Sequence, residues 1–261
     1  MKVSFLYLKN LIFRFSNFVI IFTLFISYTY ILNYSPNTPI SNNNEYFSFS
    51  NQIKNIYNSD EKLAFLTFDD GPSKNITPKV LDILKEEDVK ATFFVVGKQV
   101  QEYPEITKRA FEEGHYIANH GYSHNNFKLY STSQSFIDEI TKTDIAICEA
   151  IGIPDYCSHL FRFPNGFMAS MYKKQKREAL PILEKLNYTY LDWNCLNNDS
   201  MKKYSSMQLL NNLKKSSKDK SVLVILMHDT SDVSNSSLVL KDSISYLKSQ
   251  GYTFDNFYRF M

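Results

Sequence analysis

Cysteine, glycine and proline are all scarce in this chain, at three, seven and eight in 261 residues. Three cysteines, Cys148, Cys157 and Cys195, exclude a disulfide scaffold, because an odd number cannot all pair within one chain. Their spacing matches no zinc-binding pattern, which leaves small apolar core positions as the simpler role, with Cys148 and Cys157 open as a pair. Low Gly and Pro beside 44% hydrophobic residues exclude a collagen-like or disordered chain. Neither sign of charge dominates: 29 Lys and Arg against 27 Asp and Glu leave a net charge of +2. That balance gives no nucleic-acid partner, and the basic runs at 173–177 and 214–220 read as solvated helix faces. No internal repeat is present, which excludes a solenoid.

Charge is missing altogether from one long stretch. Lys2, Lys9 and Arg14 precede Phe15 to Leu32, 18 residues without a charged side chain, and no Lys or Arg recurs before Lys54. As a helix the stretch would span roughly 27 Å, close to a bilayer core. The charge bias then puts residues 1–14 in the cytoplasm and everything beyond Leu32 outside. A cleaved signal peptide usually ends in small residues, whereas this stretch ends in Ser27-Tyr28-Thr29-Tyr30, so a single-pass anchor at the cell membrane over 15–32 is the expectation. Residues 33–60, rich in Asn and Ser with Pro36 and Pro39, read as an extracytoplasmic linker. Residues 61–261 are then the main extracytoplasmic domain.

From residue 61 short β-rich runs alternate with amphipathic segments, the pattern of βα units around a parallel sheet. Strands are expected at 62–68, 91–96, 116–119, 160–163, 188–193, 222–227 and 252–257. Thr77 reads as the cap of the first helix, with Pro78 at its first position. The longest helix, about 134–151, turns Phe136, Ile137, Ile140 and Ile147 inward and leaves Asp138 and Lys142 for solvent. The expected fold is α/β, a distorted, incomplete (β/α) barrel of about seven strands, with an open doubly wound sheet as the alternative.

Reactive side chains fall where those strands end: Asp69 and Asp70 after the first, His120 after the third, Arg162 at the fourth, Asp192 at the fifth and His228 after the sixth. On a barrel such ends share one face. His120 and His124 lie four residues apart, and two imidazoles with one carboxylate can hold a divalent cation while leaving positions open. The adjacent acid could act as a base. The same donor set also serves non-haem iron oxygenases, and a binding protein on a degenerate enzyme fold would keep the framework.

The ordered segments Thr67-Phe68-Asp69-Asp70-Gly71, His120-Gly121-Tyr122-Ser123-His124, Arg162-Phe163-Pro164-Asn165-Gly166, Asp192-Trp193 and Leu226-Met227-His228-Asp229 resemble the polysaccharide deacetylases, carbohydrate esterase family 4. The resemblance covers about residues 61–257. It implies a polysaccharide N-deacetylase that hydrolyses N-acetyl groups of an N-acetylglucosamine-containing polysaccharide such as cell-wall peptidoglycan and releases acetate. It further implies a divalent metal, zinc first and cobalt or manganese as alternatives, held by Asp70, His120 and His124. Asp69 would be the base, positioned by Arg162, and His228 the acid, paired with Asp192. The backbone N–H of Asn165 would bind the oxyanion, and Trp193 and Leu226 would wall the acetyl pocket. The segment departs from the family at Gly121, where Thr or Ser is usual.

Overall fold

The computed structural model describes residues 43–200, 204–230 and 236–261, which from Asn44 on form one compact unit. Its framework is a parallel sheet of strands β1 (Leu63–Asp69), β2 (Thr92–Val95), β3 (Tyr116–Asn119), β4 (Leu160–Phe161), β5 (Thr189–Tyr190), β6 (Cys195–Leu196) and β7 (Val222–His228), in the order β5-β4-β3-β2-β1-β7-β6, with β8 (Thr253–Phe254) beside the start of β1. β5 and β6 are the two ends of that path, so the expected incomplete barrel is an open half-barrel. Of the expected fifth strand, 188–193, only Thr189 and Tyr190 form strand, and a further two-residue strand follows at Cys195 and Leu196. After Tyr190 the chain leaves the β4 edge, and Cys195 and Leu196 pair with Ile225 and Leu226 on the far edge.

The period-two alternation of strand side chains sorts β1 and β7 into two faces. Ala64, Leu66 and Phe68 of β1, with Leu223, Ile225 and Met227 of β7, face outward into a core shared with helices. Those helices include α2 (Thr77–Glu86), α6 (Ser133–Ile151), α8 (Ser206–Ser217) and α9 (Ser236–Ser249). Leu63, Phe65, Val222 and Val224 face inward with Phe94, Tyr116, Ala118 and Leu160.

A half-barrel leaves this concave apolar face without a second wall, and the chain fills it with its own N-terminal segment. Helix α1 (Asn43–Lys54) and a 3-10 turn (Ile56–Asn58) send Phe49, Ile53 and Ile56 into the inner core, and Phe257 stacks on Phe65 at 5.1 Å. The linker expected over 33–60 is therefore helical from residue 43 and packed from Tyr46. Its earlier part lies outside the described residues, as does the expected anchor at 15–32. Among the described residues no helix is long and apolar enough to cross a membrane.

Thr77 begins α2 without capping it. Its hydroxyl accepts from the Ser73 N–H at 2.7 Å and donates to Asp229 Oδ2 at 2.7 Å, binding the loop after β1 to the end of β7. The cysteines are all free thiols.

Candidate metal centre and active site

The inward rows of three strands end in the reactive groups. Leu63, Phe65, Thr67 and Asp69 form one row on β1; Val222, Val224, Leu226 and His228 form another on β7; and Tyr116 and Ala118 lead to His120 just beyond β3. Strict alternation would turn Asp70 away from Asp69. Asp70 instead has φ of +74°, a left-handed conformation unusual outside glycine, and this brings the second carboxylate back to the same mouth.

There Asp70 Oδ1 lies 3.0 Å from His124 Nε2 and 3.4 Å from His120 Nε2. The three donors all lie within 4.8 Å of one another. Asp70 Oδ1 is buried with no hydrogen-bond partner, an expensive state for a carboxylate oxygen unless a cation satisfies it. His120 Nδ1 meets the Arg162 carbonyl at 2.7 Å, which turns Nε2 toward Asp70. The donor chemistry and the orphaned oxygen fit a divalent metal. Burial pushes the Asp70 carboxyl upward, but the neighbouring His120 imidazole, helped by His124 and His228, holds it well below the usual carboxylate range. Burial lowers both imidazoles. Asp69 and Asp70 reverse that effect at His120, which rises, whereas at His124 the His120 charge adds to burial and the ring stays low.

Asp69, 4% exposed, stands beside this set and receives Arg162 Nη1 on Oδ1 at 2.8 Å. Arg162 is fully buried, and its other N–H groups reach Thr67 Oγ1 at 2.7 Å and the carbonyls of Leu191 at 3.0 Å and Asp192 at 3.4 Å. Its guanidinium lies 3.9 Å from the centre of the Phe94 ring. The buried charge is thus both paired and hydrogen-bonded, as its burial demands.

The expected partnership of His228 with Asp192 is not formed. His228 Nδ1 meets Asp199 Oδ1 at 2.8 Å, and the other Asp199 oxygen accepts the His228 backbone N–H at 2.9 Å and the Ser236 hydroxyl. Burial lowers the His228 imidazole, but the Asp199 bond and charge, with Asp69 and Asp70 behind them, raise it to about 9. Asp192 instead accepts the Phe167 N–H at 2.9 Å and the Met168 N–H at 3.2 Å. It anchors the loop after Asn165, because the break between β5 and β6 puts Asp192 under that loop and carries the chain on to Asp199 beside β7.

Asn165 is exposed at φ of +63°, and among the described residues its N–H finds no backbone acceptor. Buried Lys176, on α7 (Lys173–Lys185), donates to the next carbonyl, that of Gly166, at 2.5 Å. Trp193 lies 5.6 Å from the Arg162 guanidinium and closes over Gly166, where an added Cβ would fall 2.8 Å from its ring. Leu226, 7% exposed, shares the inward row of His228. All ten expected site residues thus lie on or beside one mouth, with Asp192 in a different task.

Sequence reasoning missed Asp199, Lys176 and Asp229. Asp229 is fully buried, pushed up to about 7 chiefly by burial, and packs so closely on Gly71 that a Cβ there would fall 2.2 Å from its Oδ2. Asp199 had one signal, an acid three residues beyond a strand end, but a two-residue strand carries no periodicity by which to see that end.

Comparison with known proteins agrees with this geometry. The sequence profile described as polysaccharide deacetylase matches residues 57–191. The peptidoglycan-N-acetylmuramic acid deacetylase PdaA of Bacillus subtilis is 32% identical over 197 residues, 76% of this chain and 70% of PdaA. A peptidoglycan-N-acetylglucosamine deacetylase of Bacillus cereus is 34% identical over 206 residues, 76% of this chain and 70% of that protein. The structure of a Streptococcus mutans CE4 esterase superposes with a TM-score of 0.70 at 30% identity, covering 79% of this chain and 90% of the esterase.

Proposed function

This chain belongs to the polysaccharide deacetylase family of metal-dependent enzymes, carbohydrate esterase family 4, and we propose that it removes N-acetyl groups from peptidoglycan, releasing acetate. The observation that carries this reading is the orphaned Asp70 oxygen facing two imidazole nitrogens, with a second, arginine-paired carboxylate alongside. The names of the Bacillus relatives favour peptidoglycan among N-acetylhexosamine polymers.

Asp70, His120 and His124 would hold a divalent cation, zinc by donor type, which when bound would polarise the acetyl carbonyl and acidify water. Asp69, held by Arg162, takes a proton from the water whose oxygen adds to the carbonyl carbon. The Asn165 N–H is free to hydrogen-bond the oxygen on which charge develops. His228, kept protonated by Asp199, donates its proton to the sugar nitrogen as the C–N bond breaks, and acetate leaves. Leu226 and Trp193 give the acetyl methyl group an apolar boundary.

We further propose that residues 15–32 anchor the chain in the cell membrane with the catalytic domain outside, a reading supported by the charge-free stretch and the Lys/Arg asymmetry. The deciding experiment measures acetate released from N-acetylglucosamine oligomers and from intact peptidoglycan, before chelation, after it, and after zinc is restored. Release from peptidoglycan that chelation abolishes and zinc restores is expected. No release from either polymer, or release indifferent to chelation, would overturn the proposal.

A further inference from the structure

We propose that Glu139, a residue of helix α6 remote in sequence from both histidines, is a positioning residue that presets the metal affinity of the site by fixing the loop between His120 and His124. The inference rests on the metal reading given above. Two ligands on one loop bind well only if that loop is already in the binding geometry, because otherwise ordering it subtracts from the binding free energy. The usual hydroxyl residue after the first histidine is missing here, replaced by Gly121 at φ of +82°. Something else must hold the turn.

Every backbone polar group from the Gly121 N–H to the Ser123 N–H has a partner outside the loop or at its root. The Gly121 N–H donates to Asn119 Oδ1 at 2.9 Å. The Tyr122 and Ser123 N–H groups both donate to a single oxygen, Glu139 Oε2, at 2.9 and 2.7 Å. The carbonyls of Gly121 and Tyr122 each accept, at 3.0 Å, from the Gly97 and Lys98 N–H groups at the start of α3 (Gly97–Glu102). Asn119 is itself fastened to α6 by its Nδ2, which reaches the Ile140 carbonyl at 3.0 Å and Asp144 Oδ1 at 2.9 Å.

Among these partners Glu139 is the one acid that accepts directly from the loop, and it is 8% exposed, an expensive placement for a carboxylate unless its oxygens are hydrogen-bonded. It lies 3.7 Å from where a Cβ on residue 121 would sit, so the carboxylate from α6 occupies the neighbourhood a loop side chain would fill. Two charge-assisted bonds to consecutive N–H groups form a small anion nest that sets the path into His124. Helix α6 is thereby part of the metal site without touching the metal.

The test compares the full-length chain in detergent with Glu139→Gln, which keeps the shape and one acceptor oxygen, and Glu139→Ala, which keeps neither. Zinc affinity is measured by calorimetric titration, and amide hydrogen exchange is followed in the metal-free proteins. Glu139→Gln is expected to weaken zinc about 10-fold and Glu139→Ala up to about 100-fold. Exchange should accelerate at Tyr122 and Ser123 while β1, β3 and β7 stay protected. Parent-like zinc affinity in both variants refutes the inference and leaves the metal reading standing. Weakened binding that comes with exchange rising across the strands refutes it as well, since Glu139 would then be a general stabiliser. A parent chain that takes up no zinc refutes the metal reading and the inference together.

Discussion

Replacing Asp199 with Asn should convert this enzyme into one that works only at lower pH. In the parent, His228 titrates near 9 because the Asp199 bond and charge, with Asp69 and Asp70, overcome the depression that burial alone would cause. An imidazole without that partner returns to its ordinary value of about 6.5 or lower. At pH 8 the protonated fraction would fall from about 0.9 to about 0.03, so a step that needs the imidazolium slows about 30-fold. At pH 6 both forms are mostly protonated and the rates should differ less than about twofold. The assay is acetate release from peptidoglycan between pH 5.5 and 10, with zinc content and melting temperature recorded for each variant. The alkaline limb should move from near 9 to near 6.5 in Asp199→Asn and stay put in Asp192→Asn. A variant slowed equally at every pH, or an alkaline limb that moves with Asp192 and not Asp199, would refute the assignment.

Asp69→Asn should abolish acetate release while zinc content, measured by elemental analysis, stays at the parent level; lost zinc would place Asp69 among the ligands. Phe49→Ala empties a position 2% exposed in the inner core and should cost about 3–5 kcal/mol, read from the urea midpoint. A midpoint unchanged from the parent would mean that α1 adds nothing to the fold.

The residues that sequence exposed most readily were those at the ends of long, regular strands. β1 and β7 each run seven residues as a nearly unbroken, buried apolar stretch, so Asp69, Asp70 and His228 could be placed at the points where those runs stop. Asp192 and Asp199 show where that reasoning ends. The strands around them are two residues long, below the length at which periodicity exists, and the crossing from one sheet edge to the other leaves no local mark. Asp70 was legible as a residue but not as a geometry, since alternation alone turns it away and only its left-handed backbone turns it back. Residues 43–58 read as linker because their apolar side chains are diluted by Asn and Ser. What makes Phe49, Ile53 and Ile56 a core is the unfilled concave face of a half-barrel, a demand of the assembled fold that no local window contains. Glu139 belongs to the same class: on its own helix it is one acid among several, and only the folded loop makes it an acceptor for two amides.

The early start of the folded domain also sets a radius of action. With α1 beginning at Asn43, ten residues, 33–42, separate it from the proposed anchor. Ten residues span at most about 36 Å when fully stretched. On the proposed anchoring, an enzyme leashed that closely would not range through the wall; it would modify glycan as new material passes the membrane surface, and older, outer layers would carry its marks only because they were once the innermost.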